Sequence, residues 1–380
     1  MKRIGWFLVV LLAVLPGWAA KTRKMTVDQL KQLLVAAHQA NTRDADVAKE
    51  LEDVDLTEEL THGALEAMGP DVPGQLTTEQ LFILEAKSAV LPPPASDIPT
   101  APAPDAAAQK AMLDKALDYA AKTYAQLPAM TATKETRRFQ DSAQIPPQAF
   151  GARSAGTFAP TILPIRYTTA DSAQVTIRNG AEQALPEDKG QWGANGMIAM
   201  MSQPPVLSTV LNEAQQTGKI SWVRWETVNG KQAAVFSYDV DKKKSTSEAV
   251  YCCFPQSTQA GDIAMRGQET AGGAGNYMNA TSWKIWKAKV PYHGEIFIDP
   301  GTGVVVRLVT IAGLKGSDPV RTETQRIDYG DQTVGGKTLT VPVRTMIDTV
   351  VQPYPEDPQG RMIFRHTLFT EDYKNYSAGS

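Results

Sequence analysis

The residues of this chain best suited to metal, nucleophilic or redox chemistry are four histidines and two cysteines. His38, His62, His293 and His366 are scattered, with no His-x-x-x-His pair and no cysteine near any of them, so they lack the spacing of a zinc site. Each reads as a surface or a satisfied, partly buried residue. Cys252 and Cys253 are adjacent on a predicted strand, where consecutive side chains point to opposite faces. An ordinary disulfide between them needs a distorted turn, which leaves two readings: reduced thiols with at least one buried, or a strained vicinal disulfide. The Cys-x-x-Cys spacing of a redox pair is missing.

Other catalytic signatures are incomplete in the same way. No Gly-x-Ser-x-Gly elbow occurs. Gly272-Gly273-Ala274-Gly275 lacks the lysine of a phosphate loop and the strand-to-helix setting of a dinucleotide site, and reads as a loop. Asp239-Val240-Asp241 begins like a calcium loop, but Lys244 and Val250 stand where glycine and glutamate are required. The expectation is a protein without cofactor or metal and without a catalytic site.

Aromatic residues carry the remaining signal. Trp222 and Trp225, then Trp283 and Trp286, form two pairs spaced by three on predicted strands, and Phe236 and Tyr238 follow the first pair. Odd spacing on a strand places the members of each pair on opposite faces. One reading is an aromatic-lined pocket for a lipid or acyl chain; the other is ordinary sheet core and cross-strand packing.

The elements that must position these side chains fall into two parts. Residues 21–90 read as a helical module. Thr26 caps a helix carrying Val27, Leu30, Leu33, Leu34 and Ala37; Thr57 opens a segment with Leu60, Ala64, Leu65 and Met68; Thr77 or Thr78 starts a third with Leu81 and Leu84. Residues 91–105 hold a run of prolines that predicts a stiff spacer setting the module apart. Residues 106–380 open with a helix whose Met112, Ala116, Tyr119, Ala120 and Tyr124 share a face, and then the hydrophobic period changes to two. Asn179-Gly180 and Asn229-Gly230 stand between apolar runs as hairpin turns. Predicted strands cover 220–228, 232–240, 248–254, 283–290, 292–299, 304–312, 321–329, 339–350 and 362–372. A helix interrupts them, with Pro204 and Pro205 at its start and Gly218 past its end. The fold class is α+β: a small helical module followed by a curved antiparallel sheet, half-barrel-like and covered by helices.

Composition narrows the partners. Lys and Arg number 38 against 41 Asp and Glu, which gives no clustered basic excess of the kind nucleic acids require. Lys2 and Arg3, the apolar run from Trp6 to Leu15 and the small residues Gly17, Ala19 and Ala20 read as a signal peptide, residues 1–20, cleaved near Ala19 or Ala20. That predicts a periplasmic or secreted protein with no transmembrane span in the mature chain.

Thr136-Arg137-Arg138-Phe139 with Asp141, then Tyr292-His293-Gly294-Glu295-Ile296-Phe297-Ile298-Asp299 with Gly303 and Arg307, then Ile327-Asp328-Tyr329 and Leu339-Thr340-Val341-Pro342 resemble a group of uncharacterised exported proteins of acidobacteria. The pattern from Gly294 to Arg307 also looks like periplasmic lipoprotein carriers of the Lol type and related sigma-factor-regulatory proteins. That resemblance implies a half-barrel whose apolar face holds acyl chains. The module before Pro92 and the insertion at 261–275 depart from the carrier pattern. The expected function is a non-enzymatic binding protein for a lipid, lipoprotein or other apolar envelope ligand. The alternative is a structural or protein-interaction module whose helices engage an envelope partner.

Overall fold

The computed structural model describes residues 22–144, 161–183, 200–201, 206–255, 283–351 and 365–379. Residues 1–20, Pro204, Pro205 and the 261–275 segment lie outside the described residues, and so do the side chains of Cys252, Cys253 and Trp283.

The first part is a small module with its own core. The Thr26 hydroxyl accepts from the Gln29 backbone N–H while the Gln29 side chain accepts from Thr26 N–H, and this reciprocal cap starts α1 (Val27–Gln39). Leu30 and Leu34 of α1 pack with Val47 and Leu51 of α2 (Asp44–Glu52), Met68 of α3 (His62–Met68) and Leu81 and Leu84 of α4 (Gln75–Ser88). A short parallel pair, β1 (Arg23–Met25) and β2 (Val54–Leu56), ties the module's start to its middle. The periodicity predicts neither α2 nor this pair. Thr61, not Thr57, caps α3. α4 begins at Gln75, ahead of the expected Thr77, because the Asp44 carboxylate accepts from the Leu76 and Thr77 N–H groups at 3.0 and 2.9 Å. The cap of α4 comes from another helix, 32 residues away, where no local pattern can show it.

The second part is an open antiparallel sheet of ten strands. The helix α5 (Ala106–Lys122) leads into β3 (Met130–Gln144), β4 (Thr161–Arg178) and β5 (Ala181–Glu182). After β6 (Met200–Met201) and α6 (Leu207–Thr217) come β7 (Ile220–Val228), β8 (Lys231–Val240), β9 (Glu248–Pro255), β10 (Trp283–Lys289), β11 (Tyr292–Ile298), β12 (Val305–Ala312), β13 (Val320–Val334), β14 (Lys337–Val351) and β15 (Arg365–Ala378). The order across the large sheet is β5-β4-β3-β15-β14-β13-β12-β11-β8-β7. Two features differ from the expected single meander. β9 and β10 leave it to form a separate sheet with β6, and the last strand returns to pair with β3. The α+β class holds, with six helices and this sheet among the described residues. No helix among them is long and apolar enough to cross a membrane.

Both edges of the sheet carry features that discourage further pairing. At one, β5 is two residues long and covers only the end of β4, which contains Pro164 and shifts register opposite Arg138 and Phe139; at the other, β7 bulges between Trp222 and Arg224.

The two faces of the sheet are covered differently. The first face carries α5 and α6, whose Met112, Ala116, Ala120, Leu207, Val210, Leu211 and Ala214 pack on Phe236, Tyr238, Ile296, Leu308 and Tyr329. Farther along the same face the small sheet lays Tyr251 and Trp286 on Ile347, Val351 and Phe369. The second face carries the helical module, with Ile83, Ala86 and Phe82 of α4 against Phe139, Leu368 and Ile165. The proline run does not hold the module away from the sheet as expected. It lies as a strap on the edge strand, with Trp225 Nε1 donating to the Pro102 carbonyl at 2.9 Å and Pro92 accepting from Glu59 N–H at 2.8 Å.

The two Asn-Gly turns offer a test of this packing. Gly180 (φ +73°) and Gly230 (φ +75°) share a left-handed backbone, but a Cβ on Gly180 would stand 2.2 Å from the Tyr124 ring, whereas one on Gly230 meets open space. Tyr124 is fixed there by its own hydrogen bond to the Gly180 carbonyl, 2.8 Å. In urea unfolding, Gly230→Ala is expected to cost about 1–2 kcal/mol from backbone strain. Gly180→Ala should cost about 1–3 kcal/mol beyond that, because Tyr124 has to move.

Candidate functional site

The six aromatic residues singled out by spacing do not form one pocket. Trp222 and Trp225 lie on the same face of β7, their rings 4.9 Å apart, and Trp222 also meets Phe236 at 5.5 Å. The expectation of opposite faces fails because the bulge at Val223 adds a residue between them: Trp222 pairs with Phe236 and Trp225 with Ala234. Phe236 and Tyr238 are fully buried in the core under α6, and the Tyr238 hydroxyl donates to the Val309 carbonyl at 2.9 Å. Trp286 belongs to the separate cluster under the small sheet, paired with Tyr251. The backbone of Trp283 lies on β10 opposite Pro255, and its side chain is outside the described residues.

Between the two apolar clusters of the first face runs a row of buried or largely buried polar side chains. Gln325 on β13, Thr345 on β14, Glu371 on β15 and Thr136 and Lys134 on β3 follow one another across the strands. Lys134 Nζ reaches Glu182 at 2.7 Å and Glu371 at 3.3 Å, and the Tyr373 hydroxyl shares its one proton between the same two carboxylates, at 2.9 and 3.1 Å. Beside this row a void of about 10 Å³ is lined by Ser247, Tyr292, Thr310, Glu323 and Gln325, room for a single water at most.

The densest chemistry lies on the second face, where module and sheet meet. Strands β7, β11, β12, β13, β14, β15 and β3 each direct a charged residue there, and the charges alternate. Arg224 grips Glu295 through both oxygens at 2.9 Å and Glu226 at 2.6 Å. Arg307 Nε donates to Asp328 at 2.6 Å, and Arg326 Nε reaches the same carboxylate at 3.0 Å. Arg344 contacts Asp372 at 3.5 Å, and Arg137 holds the other oxygen of Asp372 at 2.6 Å. The Phe297 ring lies under Arg307 and Arg224, with centroid distances of 5.2 and 5.8 Å.

Two carboxylates of the module complete this row. Glu59, in the loop before α3, accepts from Arg326 Nη1 at 2.6 Å and from Arg307 Nη1 at 3.2 Å. Glu85 on α4 accepts from Arg344 Nη2 at 2.6 Å. Arg326 also donates to the Ala89 carbonyl at the end of α4, 3.0 Å. Both glutamates are buried, as are Arg307, Arg326 and Arg344. An unpaired charge buried this deeply costs several kcal/mol, about 3–5 when a partner is removed, so each strand must hold its arginine where a carboxylate waits. Burial alone would raise Asp328, but Arg307 and Arg326 prevail and hold it well below the usual carboxylate range. Burial lowers Arg326, and Asp328 and Glu59 more than restore it. Glu226 ends above its ordinary range because burial outweighs Arg224 and Arg307.

The histidines divide accordingly. His38 and His293 are exposed; His366 Nε2 contacts Asp348 at 2.7 Å; His62 sits at the rim of the joint between Glu85, Glu66 and Arg344. Among the described residues no group of three His, Cys, Asp or Glu side chains converges to hold a metal ion. Spacing did not single out Glu59, Glu85, Arg326 or Arg344, because the partners are up to 267 residues apart. Arg307 and Asp328 stand out in the sequence only as members of the strand segments that carry the resemblance. No known protein family, curated protein or solved structure matches the chain.

Two outcomes follow from the joint. Glu59→Ala strands Arg326 and Arg307 beneath the module and is expected to lower stability by about 3–5 kcal/mol in denaturant unfolding, with hydrogen exchange rising first in residues 54–91. Asp328 has a depressed folded pKa, so its contribution is complete above the ordinary aspartate value of about 3.9 and is lost as the pH falls further. Stability measured between pH 5 and 2 should therefore drop in the wild type. Asp328→Asn should flatten this acid limb and be less stable at neutral pH.

Proposed function

We propose that the chain is an exported, non-enzymatic protein of the cell envelope that works through protein contacts, the sheet acting as a solid platform and the module and strap as its docking elements. The observation that carries this reading is the filling of the first face. α5 and α6 place their own apolar side chains where a bound acyl chain would lie. The row from Gln325 through Thr345 and Glu371 to Lys134 then interrupts the apolar lining that a long acyl chain requires. Export is supported by the charged, apolar and small-residue segments of residues 1–20. The surface side supports a partner: Ile98 of the strap and Val223 of the edge strand it touches are large apolar residues left exposed, and so is Val90 at the module's end, where the strap begins.

A lipid or lipoprotein carrier of the Lol type is the second reading. One observation favours it: an open antiparallel sheet with α5 and α6 over its first face, and the half-buried, edge-to-face pair Trp222 and Trp225 at its edge. It requires α6 to leave the sheet on loading.

Native mass spectrometry of the purified mature protein, with lipid extraction and an acyl-chain fluorescent probe, separates the two. The platform reading expects clean protein with no probe uptake, together with one defined cross-linked partner from a photoreactive residue at Ile98 that Val223→Asp reduces severalfold. Co-purifying lipid that Trp222→Asp removes without unfolding the protein would move the assignment to the carrier.

A further inference from the structure

At the rim of the joint one ring nitrogen has two partners it cannot serve together. His62 Nδ1 stands 2.6 Å from Arg344 Nη1 and 3.0 Å from Glu85 Oε1. A guanidinium only donates and an ionised carboxylate only accepts. Contact with Arg344 therefore needs a bare Nδ1, and contact with Glu85 needs an Nδ1–H. The other nitrogen, Nε2, faces Glu66 on the same helix at 3.4 Å and carries a proton in both cases. Arg344 keeps its bond to Glu85 through Nη2, with Asp372 of β15 at 3.5 Å behind it and Arg137 of β3 on the far side of Asp372.

We infer that His62 is a proton-operated latch between the helical module and the sheet. Neutral, its Nδ1 accepts from Arg344 and ties α3 directly to β14. Protonated, its Nδ1–H turns to Glu85, the ring is repelled by Arg344, and that arginine is held by Glu85 and Asp372 alone.

The position of the latch on the pH scale has a physical cause. The hydrogen bond to Glu85 raises the imidazole above its ordinary value, against burial and the Arg344 charge. A raised folded pKa means that the Glu85 bond contributes fully below the ordinary histidine value of about 6.5. It is lost as the pH rises through the folded value, where the Arg344 contact takes over. His62 is half-exposed, so protons reach it without unfolding.

Long-range proton–nitrogen NMR of the four histidine rings in the folded chain, from pH 5.5 to 9, tests this, with His62→Gln assigning the signal. The expected result is a His62 ring bare at Nδ1 at high pH that gains Nδ1–H as the pH falls. Its midpoint should move up by about one pH unit in Arg344→Gln and down by a similar step in Glu85→Gln. Hydrogen exchange of residues 60–68, corrected for intrinsic rates, should follow the same midpoint in the wild type and lose it in His62→Gln. A midpoint unmoved by Arg344→Gln, or a ring protonated at Nδ1 across the whole range, would overturn the latch. If Glu85→Gln does not fold, the Arg344→Gln shift decides alone.

Discussion

Glu59 is clamped between two arginines that share one aspartate, and the arrangement of the second face follows from that contact. Arg307, Arg326 and Asp328 stand on neighbouring strands, so their mutual pairing fixes the register of β12 against β13. A slip of one residue would send Asp328 to the opposite face and leave two buried guanidiniums without it. The module can then seat only where Glu59 meets that pair and Glu85 meets Arg344. The apolar contacts of α4 with Phe139 and Leu368 add area, but they tolerate sliding in a way that paired charges do not. Buried ion pairs are weak evidence for stability and good devices for position, since replacing them by apolar residues is often neutral or better. Here the hydrophobic contact supplies attraction and the charges choose the place.

The first face obeys a different rule. Its two apolar clusters close over a polar row in which Lys134 lies between Glu182 and Glu371 and the Tyr373 hydroxyl stands within hydrogen-bond distance of both. Such a row is stable only while it stays complete, so the middle of the sheet is as constrained as its core. A carrier needs the reverse, a continuous apolar lining that an occupant can enter and leave. The helices α5 and α6 are held by more than apolar contact. Glu213 of α6 accepts from Thr246 N–H and from the Tyr292 hydroxyl, which pins the helix to the loop before β9 and to β11. These features favour a platform over a container.

Much of this architecture is legible in the residues themselves. Alternation and Asn-Gly turns mark β7 and β8, the Asp299-Pro300-Gly301 corner marks β11 and β12, and Gly218 in the left-handed region ends α6. What stays hidden has a physical reason in each case. A single extra residue at Val223 reverses the face on which Trp225 lies, and a bulge leaves no mark in a period-two pattern. The cap of α4 is lent by Asp44 of α2, so local propensity misplaces the helix start. β3 pairs with β15 across more than 200 residues, as Arg137 with Asp372 shows, a distance over which spacing carries no information. The joint was illegible for the same reason. Its residues are ordinary in type, and only the fold makes Glu59, Arg307 and Arg326 neighbours.

A joint made of charges also behaves differently from one made of oil. Apolar burial is nearly indifferent to pH, whereas each pair here depends on a proton being present or absent at a stated atom. Asp328, buried between two arginines, is held so far below its ordinary range that mild acid leaves it ionised. The rim is built from the one side chain whose ordinary pKa lies near neutrality, and it is half-exposed. Near neutrality the sensitive group is thus the histidine at the edge where α3 meets β14, while the Glu59 clamp keeps the module seated. A change of His62 can loosen one corner of the module without releasing it, which is the mechanical condition for a docking element that responds to its surroundings and remains attached.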